Sequence, residues 1–141
     1  MGSLLSSLLG GEAAAAESTD GESSEPSRVT AFHSSARWKL HFDTNKPLNK
    51  LMVVDFSASW CGPCKLMEPF FNEMSAKYSD VSFVKIDVDD LPDVAREFGV
   101  TAMPTFVLLK QGKEVLKVIG AKKDELEKQI LKHREAPKFA A

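Results

Sequence analysis

The stretch Met52-Val-Val-Asp-Phe-Ser-Ala-Ser-Trp-Cys-Gly-Pro-Cys64 joins a β-branched apolar run to both cysteines of the chain. Residues 52–57 predict a buried central strand, and the residues that follow predict a helix beginning at the cysteines. One turn of that helix can bring the sulfurs of Cys61 and Cys64 together. The Cys-x-x-Cys pair is therefore the candidate centre of the protein's chemistry.

A Cys-x-x-Cys pair can be half of a metal site, a structural disulfide or a redox-active dithiol. A structural zinc site needs four ligands, and the remaining soft donors, His33, His41 and His133, are scattered without paired spacing. A structural disulfide that closes so short a loop removes little entropy from the unfolded chain. The redox-active dithiol is therefore the preferred interpretation, and no metal site is expected.

Composition indicates one small domain. The chain has 141 residues, of which 43% are hydrophobic, enough for one modest core. Two cysteines in one motif, with none left for a stabilising framework, indicate a compartment that keeps thiols reduced, such as the cytoplasm. The formal net charge of -2 gives no basic footprint, so nucleic-acid binding is not expected.

The first 27 residues differ in composition from the rest of the chain. They contain five acidic residues and no Lys or Arg, and small or polar residues dominate from residue 10 onward. Such a segment cannot bury enough apolar surface to offset the entropy of ordering. Residues 1–27 are therefore predicted to be a disordered extension, and residues 28–141 the folded domain.

The first six residues, Met1-Gly-Ser-Leu-Leu-Ser6, fit the N-myristoylation pattern, with Gly2 as acceptor after removal of Met1. A chance match in an unstructured leader is the alternative. One acyl chain binds membranes weakly, and the acidic segment is repelled by anionic lipid, so weak reversible membrane association is expected. The leader lacks the features of a secretory signal or transit peptide, which favours a cytoplasmic protein.

Periodicity after residue 28 alternates between strand and helix. Strands are predicted over residues 29–33, 52–57, 81–87, 105–110 and 114–119. Helices are predicted over residues 35–42, 64–78, 92–99 and 122–133. This order of elements predicts a mixed sheet that is covered by helices on both sides.

Four features at this order and spacing resemble the thioredoxin family: Trp60-Cys-Gly-Pro-Cys64, the preceding Asp55, Met103-Pro-Thr105, and Gly120. The resemblance covers residues 28–135, and the leader together with residues 57–60 resembles the plant h-type with an N-terminal extension. It implies the thioredoxin fold, an α/β fold with a central five-stranded mixed sheet flanked by four helices. It also implies a protein-disulfide reductase that reduces target proteins and maintains cell redox homeostasis.

The chemistry of the dithiol can be argued separately, from its place at the start of a helix. Unpaired N–H groups and the helix dipole should lower the pKa of Cys61 below that of a free cysteine. Cys61 is therefore the expected attacking thiol, and Cys64, expected to be less exposed, is the resolving thiol. Gly62 permits close approach by the substrate, and Pro63 stiffens the turn; both, with Lys85, are expected to tune the redox potential.

Asp55 interrupts an apolar strand in which an unpaired charge is costly. Burial should raise its pKa, and a carboxyl that titrates near neutrality can relay a proton to and from Cys64. The alternative is a structural carboxylate that is paired with Lys85 on the adjoining strand.

The resemblance also implies where substrates bind. In the family, the peptide bond before Pro104 is cis and faces the dithiol, and the Met103 backbone pairs with an extended substrate segment. The implied contact surface consists of Trp60, Gly62, Pro63, Val100, Ala102, Met103 and Gly120. Burial of Trp60 in the core is an equally weighted alternative.

No bound cofactor is expected. The resemblance implies electrons from NADPH through a thioredoxin reductase, with glutathione through a glutaredoxin as the other donor, and a monomer that acts on disulfide-containing proteins. Two further classes stay open. The intact dithiol argues against a binding or chaperone subunit, and Gly62-Pro63 argues against an isomerase or oxidant, which usually carries a His between its cysteines.

Overall fold

The computed structural model describes residues 26–134 of the chain. Within them, five strands and four helices follow in the predicted order. The strands are β1 (Thr30–Phe32), β2 (Leu51–Ser57), β3 (Ser82–Asp87), β4 (Thr105–Lys110) and β5 (Lys113–Ile119). The helices are α1 (Ser35–Asn45), α2 (Gly62–Lys77), α3 (Pro92–Glu97) and α4 (Lys123–His133).

The five strands form one mixed sheet in the order β1-β3-β2-β4-β5. Strands β1, β3 and β2 are parallel, whereas β4 is antiparallel to β2 and β5 is antiparallel to β4. All 7 residues of β2 are buried, as expected for a largely apolar strand in the middle of a sheet. Its carboxyl end leads directly to the loop that contains Cys61.

The helices cover both faces of the sheet, as the order of elements predicts. On one face, α2 and α4 cover a core that includes Phe71 and Leu126. On the other face, α1 and α3 cover a core that includes Trp38. Because side chains alternate along a strand, neighbouring residues of β2 enter different cores: Val53 the first and Val54 the second.

Most observed boundaries lie within two residues of the predicted ones, but α1 is longer. It continues past the predicted end at residue 42 to Asn45. Its last turn is stabilised by polar contacts that hydrophobic periodicity cannot register. The side-chain amide of Asn45 donates to the His41 carbonyl at 2.7 Å, and the Lys46 N–H donates to the Asp43 carbonyl at 3.4 Å.

The beginning of the described chain contacts α2. The Ser27 hydroxyl donates a hydrogen bond to Oδ1 of Asn72 at 3.0 Å, and the Arg28 N–H donates to the Ser75 hydroxyl at 2.8 Å. The domain boundary at residue 28 stays a prediction, because residues 1–25, which include Gly2, lie outside the described residues. None of the helices within residues 26–134 is long and apolar enough to cross a membrane.

Candidate active site

Cys61 lies between the buried strand β2 and the helix α2, of which it is the N-cap residue. Its backbone is extended, with φ -91° and ψ 114°, and its sulfur accepts a hydrogen bond from the Cys64 N–H at 3.1 Å. Pro63 lies in the first turn, where a helix does not need its missing N–H. The Cys61 sulfur therefore lies at the positive end of the helix dipole, which favours its thiolate.

The two cysteines are joined by a disulfide, with their Cα atoms 5.3 Å apart. Both residues are buried: Cys61 is 5% exposed and Cys64 is 7% exposed. The expectation that Cys64 is the less exposed of the two is therefore wrong for this oxidised form. Both cysteines belong to a small buried cluster with Ala58, and Val88 and Met103 pack against this cluster.

The peptide bond between Met103 and Pro104 is cis, as the resemblance implies. The Met103 carbonyl oxygen lies 3.7 Å from the Cys61 sulfur, and the Pro104 carbonyl accepts a hydrogen bond from the Gly120 N–H at 2.8 Å. Gly120 has a φ of +99°, a conformation that strongly favours glycine. The segments before β4 and after β5 therefore meet beside the dithiol.

Trp60 lies on the surface. It is 66% exposed, and its indole Nε1 donates a hydrogen bond to Oδ2 of Asp89 at 2.9 Å. The alternative in which Trp60 is buried in the core is therefore wrong. Asp89 could not be identified from the sequence, because it lies 29 residues after Trp60 and no pattern connects the two.

The other residues assigned to the contact surface differ in exposure. The exposed residues are Gly62, Pro63 and Ala102. The half-buried residues are Met103 and Gly120. A Cβ atom added at Gly62 would meet open space, so the surface at this position is open to a partner. Val100 is different, because it is half-buried and packs against the core that α1 and α3 cover.

Asp55 is buried in the centre of the sheet, with 4% of its surface exposed. Its Oδ1 atom has no hydrogen-bond partner among the residues that the structure describes. Burial raises the pKa of this carboxyl to about 7, while Lys85 lowers it and Glu68 raises it further. Asp55 can therefore accept or donate a proton near neutral pH.

Lys85 pairs with Glu68 of α2. The Lys85 Nζ donates to Oε2 of Glu68 at 3.1 Å. The hydrogen-bonded partner of Lys85 is thus Glu68, and Lys85 acts on Asp55 by lowering the pKa of that carboxyl. Which of the two interpretations of Asp55 holds stays a prediction. The sequence reasoning missed Glu68, although it lies four residues after Cys64, a spacing that puts both on one face of a helix.

A cavity of about 360 Å³ opens beside the dithiol. Its lining includes Ser57, Cys64, Glu68 and Lys85, and Lys85 is the register partner of Asp55 in the sheet. A space of this size holds several water molecules. The cavity therefore borders both Cys64 and the sheet neighbour of Asp55, although Asp55 is not one of its lining residues.

Within residues 26–134, no three His, Cys, Asp or Glu side chains are grouped so that they could hold a metal ion. The sulfurs of Cys61 and Cys64 are bonded to each other. The chemistry that this arrangement can perform with its own groups is thiol–disulfide exchange, in which the disulfide and the dithiol interconvert.

The protein family described as Thioredoxin matches residues 32–132, which include the dithiol, the cis bond and Gly120. The chain is 63% identical to Thioredoxin H2 of Arabidopsis thaliana over 135 residues, which are 95% of this chain and 99% of the relative. It is 56% identical to Thioredoxin H2-1 of Oryza sativa subsp. japonica over 110 residues, which are 78% of this chain and 80% of that relative.

The chain is also similar to solved thioredoxin structures. The crystal structure of thioredoxin NaTrxh from Nicotiana alata superposes with a TM-score of 0.77 at 77% identity, covering 82% of this chain and 100% of that one. The crystal structure of a wild-type poplar thioredoxin h, PtTrxh4, superposes with a TM-score of 0.71 at 37% identity, covering 74% of this chain and 95% of that one.

Proposed function

The chain belongs to the thioredoxin family, and on this premise we propose that Cys61 is the attacking thiol and Cys64 the resolving thiol. Its activity is protein-disulfide reduction by thiol–disulfide exchange, which the family and the Cys61–Cys64 pair support. The observation that carries the assignment of roles is the N-cap position of Cys61. There the Cys64 N–H and the helix dipole both stabilise a thiolate on its sulfur.

Exchange proceeds in two steps. The Cys61 thiolate attacks one sulfur of a substrate disulfide, which forms a mixed disulfide and releases the first substrate thiolate. Cys64 then loses its proton, and its thiolate attacks the Cys61 sulfur, so that the second substrate thiolate leaves as the Cys61–Cys64 disulfide closes. Two electrons pass to the substrate, and its two thiolates take up protons.

Asp55 accepts the proton that Cys64 loses in the second step. A carboxyl with a pKa of about 7 is partly ionised at neutral pH, so it can take this proton and return one when the disulfide is reduced again. The cavity that is lined by Cys64 and by Lys85, the neighbour of Asp55, supports transfer through water.

The substrate binds as an extended segment beside the cis bond of Met103 and Pro104, with backbone pairing to Met103. The exposure of Trp60 and the open space at Gly62 support a contact surface next to the dithiol. Pro63 restricts the turn between the cysteines, and we assign it a role in setting the redox potential.

The proposed electron source is NADPH through a thioredoxin reductase, with glutathione and a glutaredoxin as the alternative.

The protein is proposed to be a cytoplasmic monomer that is N-myristoylated at Gly2 and associates weakly with membranes. Intact mass of the protein from its native cells, compared with a Gly2→Ala variant, tests the acylation. If the two masses are equal after correction for the substitution, Gly2 is not acylated.

The division of labour is tested by trapping. Cys64→Ser should accumulate a covalent complex with insulin on a non-reducing gel, because the mixed disulfide forms and cannot be resolved. Cys61→Ser, the matched control, should form no such complex, and the wild type should turn over with NADPH and a thioredoxin reductase. Trapping by Cys61→Ser and not by Cys64→Ser would mean that the two roles are reversed.

A further inference from the structure

Three ionisable side chains lie between the centre of the sheet and α2. Asp55 of β2 and Lys85 of β3 are register partners on adjacent parallel strands. Each lies two residues after a member of the core under α2, namely Val53 and Phe83, so both side chains point toward that helix. Glu68 extends from α2 to Lys85, with its Oε2 3.1 Å from the Lys85 Nζ.

The single ammonium group of this cluster is engaged by the more exposed of the two carboxylates. Lys85 donates to Glu68, whereas Oδ1 of the buried Asp55 is without a hydrogen bond among the described residues. A cation close to a buried carboxyl normally favours its ionised form, because the pair offsets the cost of burying the charge. Whether Lys85 binds Glu68 or Asp55 therefore affects the charge of Asp55.

We propose that Glu68 is a positioning residue for the dithiol: its carboxylate engages the Lys85 ammonium and so keeps Asp55 able to hold a proton near Cys64. This inference rests on the proposed role of Asp55 in the resolving step. Glu68 acts through Lys85 and takes part in no step that makes or breaks a bond.

Other charged side chains lie on this face, but the charges that shift the pKa of Asp55 are those of Lys85 and Glu68. Lys65 of α2 and Asp87 of β3 line the same cavity. Strand β4 places Phe106 opposite Asp55, and α4 contributes Leu126 and other apolar side chains to this core. The charges of Lys85 and Glu68 also act on Asp55 directly, in opposite directions, and the Lys85→Gln background described below separates the direct effect of Glu68 from its effect through Lys85. After burial, the largest cause, the pKa of Asp55 is lowered by Lys85 and raised by Glu68.

Glu68→Gln tests the proposal in the reduced protein. The carbon-13 resonance of the Asp55 carboxyl, followed by NMR against pH, gives its titration midpoint. The midpoint should fall by about one pH unit, because Lys85 becomes free to pair with Asp55. Glu73→Gln, at another exposed position of α2, makes the same change in net charge and serves as the matched control. Equal midpoints in the two variants would overturn the proposal.

Lys85→Gln tests whether the effect passes through Lys85. In a protein that already carries Lys85→Gln, adding Glu68→Gln should move the Asp55 midpoint much less than it does in the wild type. A full-sized shift in the absence of Lys85 would contradict the proposed route.

Kinetics separate this inference from the proposed role of Asp55. The rate of closure of the Cys61–Cys64 disulfide is measured against pH in a single turnover with insulin. In Glu68→Gln the midpoint of this pH profile should shift to lower pH together with the NMR midpoint. If the NMR midpoint moves and the kinetic profile does not, the control of Asp55 by Glu68 is supported. In that case the proton-accepting role of Asp55 is refuted.

Discussion

Replacing Asp55 with Asn should stabilise the fold at alkaline pH. The pKa of this carboxyl is about 7 in the folded protein, against an ordinary value of 3.8. Between these values the folded protein holds a proton that the unfolded chain releases, so the contribution of Asp55 to stability is fully present at low pH and is lost as the pH rises through this range. A difference of about three pH units corresponds to about 4 kcal/mol. Asn stays neutral, so the variant should lack this loss.

Urea unfolding of the oxidised wild type and of Asp55→Asn measures the effect. The stability of the variant relative to the wild type should increase by about 4 kcal/mol between about pH 4 and pH 8. Asp124→Asn, at an exposed position in the first turn of α4, controls for the loss of a negative charge and should show no such increase. Parallel pH profiles for the wild type and Asp55→Asn would refute the reasoning.

Two further substitutions test the surface and the end of α4. Trp60→Phe removes the indole donor to Asp89, and because the side chain is exposed, the free energy of unfolding should change by less than about 1 kcal/mol. The KM for insulin should rise in this variant, while the rate with a small disulfide is kept; an unchanged KM would remove Trp60 from the contact surface. Arg134→Ala removes two hydrogen bonds to Asp80, of 2.7 and 3.0 Å, and the cation above the Tyr78 ring, at a cost of about 1–2 kcal/mol at neutral pH. Arg134 lowers the pKa of Asp80, so this contribution should be lost as the pH falls through that lowered pKa; urea unfolding that gives an equal cost in strong acid would contradict this.

Hydrophobic periodicity predicted the order of the elements, because each strand and helix must bury its apolar side chains in the core. The apolar run in β2 is buried throughout, and Leu126 and Ile130 are the two buried residues of α4. The same signal could not predict the last turn of α1, where the hydrogen bond from Asn45 to His41 uses polar groups. Element boundaries that depend on such contacts are determined by local hydrogen bonding and not by the apolar pattern.

The site divides in a similar way. Cys61, Cys64 and Asp55 were recognisable because each stands out locally, two as a spaced pair and one as a charge within an apolar strand. The partner of Lys85 was not, because the choice between Asp55 and Glu68 depends on how α2 packs over the sheet. Contacts of this kind arise from the packing of elements that are distant in sequence.

The central claim is that the start of α2 activates Cys61, and the acidity of this thiol tests it most directly. In Cys64→Ser, Cys61 is the one remaining thiol of the chain, so the rate of its alkylation by iodoacetamide against pH reports its ionisation. The account predicts a midpoint in the folded protein below that of the same chain in denaturant, where it should return to about 8.5. Equal midpoints in the folded and unfolded chains would contradict the account.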